Sequence, residues 1–154
     1  MSIAQLYFED VNPGDKVRPM YFYMDQMQLI EWGFVSGNTD GGHWHIWHNR
    51  FRATKDPKRS ELKGYDPSVT GQFKTVLMER MLMDWAGPKS WVKAMDVQYR
   101  VWDHFFELKT FSGTVTEKGE KDGMGLVEVA LEMAREDGRT TTKGSATVVL
   151  PKRG

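Results

Sequence analysis

The chain has 154 residues, 40% hydrophobic and 27% charged, a balance that fits one globular domain over 1–154 and not a disordered chain. Its 21 basic and 21 acidic side chains cancel, which argues against nucleic-acid binding, where a basic excess is the rule. The absence of cysteine removes thiol nucleophiles, thiolate zinc sites, iron–sulfur clusters and disulfides from consideration.

Residues 1–10 carry no basic n-region and no long apolar run, so no secretory signal is expected there. No stretch approaches the ~20 apolar residues of a membrane span. The expected location is the cytoplasm. Asn12-Pro13-Gly14-Asp15 is a turn signal, and an extended run follows from Val17 to Phe22. Between Met24 and Gly37, the apolar residues Met27, Ile30 and Phe34 recur at three- and four-residue steps. They predict a helix that stops at Gly37. Residues 38–71 are polar and punctuated by Gly41-Gly42, Asp56-Pro57 and Asp66-Pro67.

A second helix is predicted from Gly71 to Ala86, with Phe73, Leu77, Met81 and Trp85 at four-residue steps. Val76, Met78, Leu82 and Met83 extend its apolar surface nearly all round, which predicts burial on most sides. Ser68 or Thr70 is placed to cap its start, and Gly87-Pro88 ends it. Beyond Pro88 the period changes to two. Val97, Tyr99 and Val101 alternate with Gln98 and Arg100, with the polar Asp103 beyond them, giving a strand with one buried face. Further strands are predicted near 107–118, 125–135 and 140–150, with Asp122-Gly123 and Asp137-Gly138 as hairpin turns. The fold class is therefore α+β, a long helix followed by an antiparallel meander that wraps it.

The densest concentration of chemistry is residues 36–48, where three of the four histidines, His43, His45 and His48, lie within six positions. Histidine moves protons near neutral pH, Gly41-Gly42 lets backbone pass close to a ligand, and Asp40 can orient an imidazolium. The same residues also read as exposed loop histidines beside interface tryptophans. His43-x-His45 with His48 or Asp40 offers metal ligands as well, but only His104 remains as a distant ligand, and no metal is assigned.

Residues 50–63 contain six basic and two acidic side chains. Arg50, Arg52, Lys58 and Arg59 in that run suit the phosphates of a coenzyme A, and they equally suit a solvated loop. Three methionines crowd the second helix and suit an adaptable acyl tunnel or ordinary gap-filling. Tyr99, Trp102, Phe105 and Phe106 read as core or subunit interface. Phosphate-binding glycine loops and nucleophile elbows are absent from the sequence.

Four segments together resemble the MaoC-like acyl dehydratases, or (R)-specific enoyl-CoA hydratases, of the hot-dog fold. They are Tyr7 to Asp15, Asp84-Trp85-Ala86-Gly87-Pro88, Val97-Gln98-Tyr99-Arg100 and Gly144 to Pro151. The resemblance implies a five- or six-stranded antiparallel sheet around the Gly71–Ala86 helix. It also implies an acyl thioester substrate, no cofactor beyond the coenzyme A of that substrate, and at least a homodimer. The family's active loop, Gly-Asp-x-Asn-Pro-x-His, aligns with Gly37-Asn38-Thr39-Asp40-Gly41-Gly42-His43. Glycine and histidine match. Asn38 takes the place of the acid, Asp40 that of the asparagine, and Gly41 that of the proline. The family's second motif, His-Gly at the start of the central helix, is Thr70-Gly71 here, and the basic run lengthens the chain between the two motifs.

The resemblance implies His43 as an acid–base residue acting on water. It does not supply the partner acid, because Asn38 has no titratable group. Asp40, two positions later on a glycine-flanked loop, is expected to substitute for it, with Asn38 as a hydrogen-bonding partner. The resemblance places the Gly71 N–H at the thioester oxygen, with Gly41, Gly42, Trp44 and His45 lining the substrate. The reaction implied is addition or removal of water across an enoyl double bond. Loss of the acid at Asn38 also suits a catalytically silent subunit of a heteromeric dehydratase, or a hot-dog thioesterase or dehydratase acting on an unusual substrate through Asp40.

Overall fold

The computed structural model describes residues 4–37, 69–103 and 105–153. A short 3-10 turn (Phe8–Asp10) leads into β1 (Lys16–Met24) and α1 (Gln26–Ser36). The central helix α2 (Gly71–Ala86) is followed by β2 (Trp91–Tyr99), β3 (Glu107–Lys121), β4 (Met124–Ala134) and β5 (Thr140–Leu150). The five strands form one antiparallel sheet in the order β1-β3-β4-β5-β2. Among the described residues no helix is long and apolar enough to cross a membrane.

The meander follows from its turns. Asp122 and Gly123 both have positive φ, 53° and 75°, so the two-residue turn matches the twist of β3 and β4. The β4–β5 turn ends on Gly138 at φ 82°, and Arg135 N–H bonds to the Arg139 carbonyl across it. Pairing runs from Thr110↔Ala134 to Lys121↔Met124 and from Gly125↔Leu150 to Ala134↔Thr140. Each of the four strand pairs has one break in register. Such bulges bend a sheet and let it curl. Pro19 sits at the break in β1, an edge strand, where a missing N–H costs no ladder bond.

The concave face of the sheet carries Phe111, Val115, Val127, Val129, Leu131, Met133, Ala146, Val148 and Leu150, all buried against α2. The helix answers with Phe73, Leu77, Met78, Met81, Leu82 and Ala86. Burial is thus confined to one stripe rather than extending round the helix, and Val76 on the far side is 39% exposed. A single sheet can cover only one side of a helix, and this is the reason for the difference from the sequence expectation.

The helix predicted before Gly37 forms, and Asp25 caps it. Asp25 Oδ1 accepts from Gln28 N–H while Gln28 Oε1 accepts from Asp25 N–H, both at 3.0 Å. Its buried face differs from the predicted one. Leu29 and Gly33 face the core, whereas Met27 and Phe34 point outward. Strand β2 begins at Trp91, six residues before the predicted alternation, and ends before Val101. It is the other edge of the sheet, so Tyr99, although its ring lies on the helix side against Gly71, stays half exposed. Of the four aromatic residues read as core or interface, only Phe105 is buried; Trp102 and Phe106 are exposed like Tyr99.

Candidate active site

The described part of the site is the N-terminus of α2. Thr70 is its N-cap, and its Oγ1 accepts the Phe73 N–H at 3.2 Å. Ser68, the other candidate cap, lies outside the described residues. The first N–H groups of an α-helix have no intrahelical acceptor and carry a partial positive charge. Gly71 is the first residue of the helix, so its N–H is one of them.

Gly71 is required for closeness. A Cβ built there would stand 2.5 Å from Cε2 of Tyr99, so the tyrosine ring lies directly against this backbone. The ring is tied down in turn. Tyr99 Oη is 2.5 Å from Thr75 Oγ1, and Lys74 Nζ lies 5.5 Å from the ring centroid. Phe73 on the next face packs against Phe22 and Trp32, with ring centroids 6.0 and 5.7 Å away.

Beneath this turn lies a cluster of charges that the sequence reading missed. Lys74 Nζ donates to Asp103 Oδ2 at 2.5 Å; Lys109 Nζ and Arg135 Nε lie 3.5 and 3.4 Å from Asp103 Oδ1. Lys109 also pairs with Glu107, and Arg135 donates to the Trp102 carbonyl. Lys74, Asp103 and Lys109 are buried. Burial alone would raise the Asp103 carboxyl, but the hydrogen bond and charge of Lys74, with Lys109, outweigh it and hold the group below its ordinary 3.8. Burial lowers Lys74, although Asp103 opposes that shift.

Two signals in the sequence mark this cluster. Lys109 occupies a concave-face position in step with Phe111, Gly113 and Val115, and Lys74 stands in the buried stripe of α2 between Phe73 and Leu77. The sequence pattern grouped Asp103 with the polar residues Gln98 and Arg100 of a strand. The structure places it in the β2–β3 connection instead, fully buried.

Of the site residues expected from sequence, Gly71 is the one placed by the structure. Asn38, Asp40, Gly41, Gly42, His43, Trp44 and His45 lie outside the described residues, as do Arg50, Arg52, Lys58 and Arg59.

No protein-family model and no curated protein matches the sequence at a significant level. Solved structures do match. The (R)-hydratase PhaJ1 from Pseudomonas aeruginosa superposes with a TM-score of 0.79 at 15% identity, over 97% of this chain and 88% of that one. The hot-dog fold is the fold of this chain. A chain of the ChsH1–ChsH2 complex from Mycobacterium tuberculosis gives 0.73 at 19% identity, over 90% of this chain and 98% of that one. A MaoC-like dehydratase from Rhodospirillum rubrum gives 0.72 at 13% identity, covering 97% and 99%. The structural neighbours of this hot-dog chain are thus MaoC-like dehydratases and (R)-hydratases, and among the described residues the sheet has five strands, where five or six were expected.

Proposed function

We propose that the chain is a MaoC-like hydratase or dehydratase acting on an enoyl or 3-hydroxyacyl thioester of coenzyme A. The observation that carries this reading is the α2 N-terminus, where a side-chain-free Gly71 presents a backbone N–H at the positive end of the central helix. The fold shared with PhaJ1 supports it.

In the hydration direction His43, paired with Asp40, takes a proton from water as the water oxygen bonds to the β-carbon. The electron pair of the double bond moves to the thioester oxygen as an enolate, which the Gly71 N–H stabilises. The protonated His43 then returns that proton to the α-carbon as the enolate collapses, so that the elements of one water have been added across the double bond. Asn38 hydrogen-bonds the water or the substrate. Gly41, Gly42, Trp44 and His45 line the acyl thioester, and Arg50, Arg52, Lys58 and Arg59 meet the phosphates of coenzyme A. The protein works in the cytoplasm without a metal, as a homodimer or larger assembly that covers an exposed sheet edge.

A second reading is favoured by Asn38, which removes the acid of the active loop, and by likeness to a chain of the two-subunit ChsH1–ChsH2 complex. In it the chain is the silent partner of a second hot-dog subunit. Loss of enoyl absorbance, followed with purified protein and enoyl-CoAs of graded acyl length, decides between them. Activity that disappears in both His43→Ala and Asp40→Asn is the expected result. Full activity in Asp40→Asn refutes the role of Asp40. An inactive folded protein that co-purifies with a second hot-dog chain replaces the first reading by the second.

A further inference from the structure

Asp103 touches the first turn of α2 twice, by two different groups. Its main-chain carbonyl accepts the Val69 N–H at 2.9 Å, and its carboxylate accepts the Lys74 ammonium at 2.5 Å. Val69 and Lys74 bracket Thr70 and Gly71, so a single residue of the β2–β3 connection grips the turn on both sides. The ring of Tyr99, at the end of β2, closes the third side against Gly71. Asp103 is itself immobilised. Lys109 from β3 and Arg135 from the end of β4 converge on its other oxygen, and Arg135 also holds the carbonyl of the preceding residue, Trp102.

Burying this many charges is an expensive way to anchor a helix. Apolar packing of similar volume anchors as well or better, and a buried ion pair is weak evidence of a purely stabilising role. What the arrangement supplies beyond apolar packing is direction. Each contact has a fixed donor and acceptor, and each arrives from a different element. A donor aimed at a developing oxyanion must be held to within a fraction of an ångström. We propose that Asp103 is a positioning residue, one that fixes the first turn of α2, and with it the Gly71 N–H, in the orientation that receives the thioester oxygen. The proposal rests on the role given to Gly71 above. Asp103 does not touch substrate.

The test uses Lys74→Met, which keeps the stem and removes the ammonium, beside Asp103→Asn. Asp103→Asn leaves two buried ammonium groups facing an amide; should it fail to fold, Lys74→Met and the Asp103→Asn/Lys74→Met double variant carry the measurement. Three readouts are taken on the full chain: kcat and KM with crotonyl-CoA, hydrogen exchange of the Phe73 and Lys74 amides, and the shift of the Gly71 amide resonance on adding butyryl-CoA.

Both amides bond back to Thr70, so they report the turn directly. The expected result is a kcat lower by about ten- to a hundredfold with KM little changed. Exchange at Phe73 and Lys74 speeds up while Met81 and Leu82 stay protected, and the butyryl-CoA shift at Gly71 shrinks. A variant with lower thermal stability but unchanged kcat, or with unchanged exchange at the turn, overturns the positioning role. If the wild type itself shows no hydration, the proposed reaction fails. The Gly71 shift and the exchange data then decide the positioning role alone, and absence of that shift in the wild type overturns it.

Discussion

Gly71→Ala tests the closeness on which the site depends. The added methyl would stand 2.5, 2.7 and 2.8 Å from three carbons of the Tyr99 ring, whereas carbon atoms rest at about 3.5–4.0 Å. The ring must therefore withdraw by about an ångström. Its edge is free to swing, since Tyr99 is 47% exposed. Swinging out breaks the Tyr99–Thr75 hydroxyl bond and draws the ring away from Lys74. The first loss is worth about 1 kcal/mol and the second about 0.5–1. Alanine returns part of this, because it favours the helix over glycine by up to about 1 kcal/mol. The net expectation is a destabilisation of about 1 kcal/mol in the wild-type background. In a Tyr99→Ala background the obstacle is gone, and the same substitution becomes neutral or stabilising. Urea unfolding of the four proteins measures the coupling, expected at about 1–2 kcal/mol. An equal effect of Gly71→Ala in both backgrounds, or a more stable single variant, would refute the reasoning.

Two further predictions follow from the charge cluster and its surroundings. Because the folded Asp103 carboxyl titrates below 3.8, the stability it contributes is complete above 3.8 and is lost as pH falls through its folded value. A carbon-detected titration of Asp103 should find it ionised at pH 3.8, and a midpoint above 3.8 would mean that burial outweighs the surrounding cations. Thr142 is buried and its Oγ1 has no hydrogen-bond partner among the described residues. Thr142→Val, close to isosteric, should raise the unfolding free energy by about 1 kcal/mol; a lower urea midpoint with unchanged slope would show that the hydroxyl is satisfied after all.

Much of the fold is legible in the residues, because its signals are local. The bounds of α2 and β5 match those expected from apolar spacing and from the threonine and glycine punctuation around them. Asp-Gly at 122–123 sets a turn without reference to anything distant. The inward face of α1 is not local information. Met27, Ile30 and Phe34 form a plausible apolar stripe, yet Leu29 and Gly33 are the buried pair, because the approach of the sheet decides which side is covered. The buried ions escape notice for a related reason. A lysine in a helix or strand reads as solvent-facing until the partner that neutralises it, Asp103, is placed beside it by the β2–β3 connection. Of the candidate site, the glycine at the helix start was legible from a short motif, while the turn that holds it depends on contacts between residues about thirty positions apart in sequence.

The order of the strands carries a consequence for how the chain reaches its native state. Strands β3, β4 and β5 are joined by turns of a few residues and pair with their neighbours in sequence. Strand β1, by contrast, meets β3 only after more than eighty intervening residues, at Met24↔Glu107. Closing a short hairpin costs little chain entropy, and closing a long loop costs more and is rewarded later. The C-terminal meander is thus the natural nucleus. Substitutions at Asp122, Gly123 or Gly138 should act on the folding rate, while those in β1 should act mainly on unfolding.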